Sequence, residues 1–167
     1  MPGPLEIAVN TCYHPASVDP RSHIGNAVVW QYATVETNVT MGSGCVIGSC
    51  AWIGMNTVMG DGVRVQHGAF ICRNAEIGHR VFIGPNATLT DDRYPRAGNT
   101  HYSTNPPILE DDVSVGAGAV ICPGVRVRKG TTVGAGAVVV ADTTEYSTVV
   151  GIPARELLAH NPIKESA

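Results

Sequence analysis

Ile47-Gly-Ser-Cys-Ala-Trp-Ile53-Gly-Met-Asn-Thr-Val-Met59-Gly-Asp-Gly-Val-Arg-Val65-Gln-His-Gly-Ala-Phe-Ile71 returns an aliphatic residue at every sixth position. The beat continues on both sides, from Val29, Val35 and Met41 to Ile77, Ile83 and Leu89. Two positions before most anchors stands a small or β-branched residue, as in Ala33, Cys45, Ala51, Thr57, Ala69, Ala75 and Ala87. A period of six is not helical, but it contains the strand's period of two, so residues i−2 and i point together into an interior. The four remaining residues, rich in Gly, Asn and Asp, must bend the chain before the next short strand. This pattern predicts a parallel β-solenoid. A sandwich of short strands has no reason to keep such a register. Glycines directly after the anchor (Gly42, Gly48, Gly54, Gly60, Gly78, Gly84) suit corners where a side chain would clash or φ is unusual.

Outward from this run, Ile24 to Val29 is a step of five rather than six, so the first coil is expected to be imperfect, as a terminal repeat that caps a stack. Beyond Leu89, Thr90-Asp-Asp-Arg-Tyr-Pro-Arg-Ala-Gly-Asn-Thr-His-Tyr-Ser-Thr-Asn-Pro-Pro107 breaks the rule. The beat resumes with Leu109, Val115, Ile121, Val127, Val133 and Val139. The step from Leu89 to Leu109 is twenty where six would do, so fourteen positions are inserted. Solenoids put insertions on one face, often the binding face. One domain is expected over 1–167: an N-terminal cap at 1–17, coils at 18–89 and 109–142, an inserted loop at 90–108 and a C-terminal segment at 143–167. Ala154 to His160 reads as a short helix.

If three hexads make one turn, residues 18 apart stack at about the 4.8 Å inter-strand spacing. One interior column is then Val29, Ile47, Val65, Ile83, Val115 and Val133. Two positions after these anchors the outer column reads Gln31, Ser49, His67, Pro85, Ala117 and Ala135. Gly116-Ala-Gly-Ala119 and Gly134-Ala-Gly-Ala137 thus form a smooth strip leading towards Pro85 and His67, along which a narrow chain could lie.

Composition narrows the classes. A formal net charge of −3 and the lack of a basic run argue against nucleic acid. No apolar stretch approaches the roughly 18–20 residues of a membrane span, and the N-terminus lacks a signal-peptide pattern. Five cysteines (Cys12, Cys45, Cys50, Cys72, Cys122), odd in number and without a CxxC pair, read as free thiols of a cytoplasmic protein. Cys72 and Cys122 show no neighbouring base that would make either a nucleophile. Trp30 and Trp52 fall on outward phases and point to a subunit contact.

The repeat and its ending resemble the hexapeptide-repeat acyltransferases. The closing segment Val139-Val-Ala-Asp-Thr-Thr-Glu-Tyr-Ser-Thr-Val-Val-Gly-Ile-Pro-Ala-Arg155 is similar to that family's V-x-x-D-V-P-P-Y-x-x-V-x-G-x-P-A-R ending. Val65-Gln-His-Gly and Val81-Phe-Ile-Gly-Pro-Asn-Ala-Thr-Leu-Thr-Asp-Asp-Arg-Tyr-Pro-Arg-Ala97 resemble the branch that N-acetylates amino sugars carried on UDP or dTDP. That branch typically reads I-Q-N-N and V-F-x-G-P-x-x-x-F-T-N-D-x-Y-P-R. The resemblance implies an all-β, left-handed parallel β-helix, whereas the general rule for parallel crossovers would give the right hand. It also implies acetyl-CoA as acyl donor, no metal, a nucleotide-linked amino sugar as acceptor, and a homotrimer with sites between subunits. His67 and Asp91 each stand where the branch has Asn, so a titratable group replaces an amide at both.

Acyl transfer from a thioester to an amine needs a neutral amine, a polarised carbonyl and a path for one proton. Asp91 and His67 are the candidates for base or amine-orienting group. Gln66, Asp92, Arg93, Tyr94 and Arg96 are candidates for the acceptor, since the arginine fork matches phosphate and tyrosine can stack or hydrogen-bond. The pantetheine arm would run along Gly116, Ala117, Gly118, Gly134 and Ala135, with Arg126, Arg128, Lys129 and Arg155 as candidates for its phosphates. Asp91 and His67 are separated by one coil and one side, so they meet only if neighbouring subunits pack side by side. The alternatives are an acyltransferase with a non-nucleotide acceptor (serine, a free sugar), a non-catalytic scaffold, and a zinc carbonic anhydrase on the same fold. The last needs an H-x4-H pair, and His67, His79 and His101 do not supply it.

Overall fold

The structure, a computed structural model, describes residues 12–157. The hexads form short strands, nearly all of two residues, from Ser17–Val18 to Arg155–Glu156, and there is no helix among the described residues. They stack into three parallel sheets that close a left-handed, three-sided β-helix. A first face of eight strands contains Val28–Val29, Val46–Ile47, Arg64–Val65, Phe82–Ile83, Ser114–Val115 and Thr132–Val133. A second face of seven includes Thr34–Val35, Trp52–Ile53, Phe70–Ile71 and Thr88–Leu89, and a third face of five includes Val58–Met59, Glu76–Ile77 and Ile108–Leu109. Corner one joins the first face to the second, corner two the second to the third, and corner three the third to the next coil's first.

Every anchor from Val29 to Leu89 and from Leu109 to Val139 is buried, and so are its small partners Ala27, Ala33, Ala51, Ala69, Ala87 and Ala119. The interior is therefore two columns per side, an aliphatic anchor column and a partner column, which fills a narrow triangular core without aromatic residues. The partner column is alanine throughout the second face and includes Val63, Val81 and Val113 on the first and Val39 and Val125 on the third. Thr57 and Thr131 are the polar exceptions in the partner columns of these anchors; the Thr57 hydroxyl donates to the Gly54 carbonyl at 2.7 Å and also reaches the Cys72 carbonyl at 3.2 Å.

Register follows the sequence arithmetic. Val29 pairs with Ile47 and Val65 with Ile83, 18 apart. Ile83 pairs with Val115 and Leu89 with Ile121, 32 apart, which is one coil plus the inserted length. In the first coil the offset drops to 17, as Val18 meets Val35 and Cys12 bridges Val29. Coiling thus reaches back at least to Cys12. The insertion ends before Ile108, which is already in a strand.

Corners are built from two kinds of position. Three residues after the anchor the backbone is left-handed without exception from Tyr32 through Asn38, Gly44, Cys50 and onward to Asn86, and again from Asp112 to Gly136. The glycines one residue after the anchor do a different job. A Cβ on Gly48 would sit 2.7 Å from the His67 nitrogen of the next coil, so close approach of two backbones, not φ, selects glycine there.

The C-terminal pole is closed by chain reversal. Thr148–Val150 extends the first face, and Arg155–Glu156 returns antiparallel to it. The carbonyl of Val138 accepts from the Ala154 N–H at 2.7 Å, while Asp142 and Thr143 side chains accept from the Arg126 and Arg128 N–H groups at 2.8 and 2.9 Å. The short helix expected over Ala154 to His160 is not formed where the chain is described. Arg155–Glu156 is extended because it pairs with Val149 and Val150, and residues 158–160 lie outside the described residues.

Candidate functional site

Corner one carries the expected column. The Gly68 N–H donates to the Ser49 carbonyl, Asn86 to His67, Gly118 to Pro85 and Gly136 to Ala117, at 2.8–3.0 Å. A Cβ on Gly116 would meet the Ala135 nitrogen at 2.5 Å, so Gly116, Ala117, Gly118, Gly134 and Ala135 do form one smooth strip. His67 stands exposed two coils below Ala117, next to half-buried Gln66. Its Nδ1 accepts the Ser49 N–H at 2.9 Å. A neutral imidazole held this way carries its proton on Nε2 and presents a donor to solvent.

Corner two holds Asp91, at the opposite edge of the second face from His67. Asp91 Oδ2 accepts from the Tyr102 hydroxyl at 2.5 Å and lies 3.7 Å from Arg73 Nε. The Arg73 guanidinium also sits over the Tyr102 ring, 5.6 Å from its centroid. Loss of solvent, then the hydrogen bond to the Asp91 carboxylate, push the Tyr102 phenol up to about 12. Arg73 and Tyr102 are not among the sequence candidates. The repeat does carry a signal for Arg73, which precedes Asp91 by one full coil and so lies directly beneath it. Tyr102 lies in the insertion, where no repeat predicts position.

Cys72 borders the same corner. Burial, then the nearby charge of Asp91, push its thiol up to about 12, so it stays protonated and non-nucleophilic at neutral pH. The remaining insertion folds on itself. Asp92 Oδ1 accepts the Tyr94 N–H at 2.8 Å, and Asn99 Oδ1 the His101 N–H at 3.1 Å. Asp92, Arg93 and Tyr94 join Asn99 and His101 around a cavity of about 370 Å³. Arg96 is exposed and lies outside it. The return arm is tied to the coil, with the Asn105 N–H donating to the Asp91 carbonyl at 2.8 Å and Asn74 Nδ2 to Thr104 Oγ1 at 3.3 Å.

The basic candidates lie elsewhere. Arg126 and Arg128 both reach Glu110 Oε1, at 3.2 and 3.4 Å, and the Lys129 N–H donates to Glu110 Oε2 at 3.0 Å. This group occupies the third face and corner three, one side of the helix away from the strip at corner one. Arg155 is exposed and donates to the Ala154 carbonyl at 2.8 Å. Within one chain the structure therefore brings together the strip with His67, and Asp91 with the insertion, but not these two groups with each other. Among the described residues no group of three His, Cys, Asp or Glu side chains could hold a metal ion. None of the described residues forms a helix long and apolar enough to cross a membrane.

Comparison with known proteins fits this geometry. The profile of the bacterial transferase hexapeptide (six repeats) matches residues 56–91 and 106–141. A putative acetyltransferase of Schizosaccharomyces pombe is 36% identical over 85 residues, covering 48% of this chain and 41% of that protein. A 2,3,4,5-tetrahydropyridine-2,6-dicarboxylate N-acetyltransferase of Staphylococcus aureus is 38% identical over 89 residues, covering 53% of this chain and 35% of the relative. The chain thus spans less than half the length of these two relatives. Among solved structures, the acetyltransferase domain of PglB from Neisseria gonorrhoeae superposes with a TM-score of 0.59 at 26% identity, over 87% of this chain and 56% of that one. The same domain has been solved in complex with acetyl coenzyme A (TM-score 0.56, 26% identity, the same coverage). Over residues 56–91 and 106–141, the coils described above thus match the sequence pattern of the bacterial transferase hexapeptide repeats.

Proposed function

We propose that this chain is an acetyl-CoA-dependent N-acetyltransferase whose acceptor is the amine of a nucleotide-linked amino sugar. The observation that carries the reading is corner one, where a side-chain-poor strip runs along the helix axis and leads to His67. A pantetheine arm laid on Ala117 and Ala135 would deliver its thioester towards the imidazole. The acetyltransferase names of the relatives and the acetyl-CoA complex of the PglB domain support the donor. The branch-like run Val81–Ala97, and the cavity shared by Arg93, Tyr94 and His101, support an acceptor carrying phosphates and a base.

His67 and Asp91 point away from each other in one chain, so the proposed site forms between subunits of a homotrimer. The neutral amine attacks the thioester carbonyl carbon, the C–S bond breaks, and the amine's proton leaves to the thiolate or to solvent. In this arrangement His67 donates its Nε2–H to the carbonyl oxygen as negative charge develops there. Asp91, already bound by Tyr102 and Arg73, orients the acceptor rather than abstracting a proton.

A second reading keeps the donor and changes the acceptor to a small amine without a nucleotide. The name of the Staphylococcus aureus relative, an N-acetyltransferase of a dicarboxylate, favours it. Thiol release from acetyl-CoA, measured with UDP- and dTDP-amino sugars beside the free sugars and serine, separates the two. Release confined to a nucleotide-linked amine is the expected result; equal release with the free acceptors would transfer the assignment to the second reading.

A further inference from the structure

The second face carries a pocket that neither the motifs nor the strip accounts for. Its volume is about 230 Å³, and its lining is Glu36, Trp52, Gly54, Phe70, Cys72, Arg73 and Asp91. Four successive coils build it. Trp52 and Phe70 are register partners on the outside of the second face, and both stay more than a third exposed. Glu36 rises from the coil below, fixed by the Met55 N–H donating to its Oε2 at 2.8 Å. Arg73 and Asp91 close the upper rim, held together and backed by Tyr102. Gly54 lines the wall between Glu36 and Asp91, held to glycine because a Cβ there would stand 2.5 Å from the Arg73 backbone nitrogen of the next coil.

We infer that this pocket is a subsite for the ring and free amine of an amino sugar, lined by Trp52 and Phe70 and read by Glu36 and Asp91. The proposal rests on the amino-sugar reading above and names residues for it. Two carboxylates and one guanidinium give the pocket a net charge of −1, which suits one ammonium group. Glu36 Oε1 and Asp91 Oδ1 accept no hydrogen bond among the described residues, so each carboxylate keeps an oxygen for a ligand N–H or O–H. The exposed aromatic surfaces suit the apolar C–H face of a sugar ring, and the volume suits one ring rather than a nucleotide. The pocket shares corner two with the insertion, and Asp91 is followed directly by Asp92 and Arg93 of the neighbouring cavity. A sugar in the pocket would therefore leave its phosphates at Arg93.

Two measurements test this. In steady-state kinetics, Glu36→Gln should raise KM for the amino sugar about tenfold, the loss of a charge-assisted hydrogen bond, with KM for acetyl-CoA and the melting temperature unchanged. Trp52→Phe should raise it less. An unchanged acceptor KM in both variants, or a changed assembly mass without a change in KM, would overturn the subsite in favour of a subunit contact. The second measurement needs no turnover. In a Trp30→Phe background, the emission of Trp52 should change on titration with the amino sugar and not with its N-acetylated form. If the wild type acetylates no amino sugar but the emission responds, the enzymatic reading fails and the pocket stands. If the emission is unresponsive, the pocket proposal fails whatever the turnover.

Discussion

At the scale of single residues, two nearby glycines separate two physical reasons for the same amino acid. Gly44 has φ +72° and open space around the place of its missing Cβ, whereas Gly48 has the next backbone 2.7 Å away. Gly44→Ala should cost about 1 kcal/mol in urea unfolding, the price of a left-handed alanine. Gly48→Ala should cost about 3 kcal/mol, because two coils must separate. Periodicity made the Gly48 position legible but offered clash and φ as equal causes. The left-handed slot was not legible, because Tyr32, Cys50, Arg80 and Asn86 fill it as readily as glycine. His67 repeats the lesson at the site: its column was readable, its hydrogen bond was not. Since Nδ1 is occupied by Ser49, the group to preserve is a donor. His67→Asn should retain most of the acetyl transfer and His67→Ala should lose about 10²-fold in kcat, read from thiol release.

The inserted segment is the element with chemistry of its own. Its existence, length and position followed from a beat that paused after Leu89 and resumed in phase at Leu109, as the common offset of the strand pairs across it shows. Its internal folding did not, because no repeat constrains it and Tyr102 is placed by a contact with Asp91. Removal of 91–104 together with Pro106→Gly should leave a folded coil with a cooperative thermal transition, as judged by circular dichroism. The second change is needed because proline cannot take the left-handed corner conformation that the shortened coil would require. The same protein should release no thiol with a nucleotide-linked acceptor; retained release would exclude the insertion from the site. The Tyr102 phenol supplies a pH test. It ionises near 12 when held by Asp91 and near 10 when freed, so the closed insertion is favoured fully below pH 10 and loses that contribution between about 10 and 12. Ultraviolet titration should show one tyrosinate forming last, and Tyr102→Phe should abolish that final limb.

For the whole molecule, the sequence carried the architecture because a single rule of six repeats across the core. It did not carry the separation of Arg126, Arg128 and Lys129 from the strip, since closeness in sequence becomes a different side of a triangle within one hexad. That separation, and the opposed directions of His67 and Asp91, are why the proposed site requires corners of different chains to meet. Light scattering should give three times the 17.5 kDa chain mass. A monomer that still acetylates would remove the two-chain site.

The closed C-terminal pole has a consequence at this same scale. In a parallel solenoid the exposed face of the last coil offers the hydrogen bonds that the next coil would use, and nothing in that pattern distinguishes the next coil from another molecule's. The reversal at Arg155–Glu156, the Ala154 N–H on Val138, and the Asp142 and Thr143 side chains on the third face occupy those groups with partners of the wrong direction or the wrong kind. Growth of the stack is thereby terminated at this pole, and a repeat that could otherwise polymerise end to end into a fibre is kept as a particle of finite length.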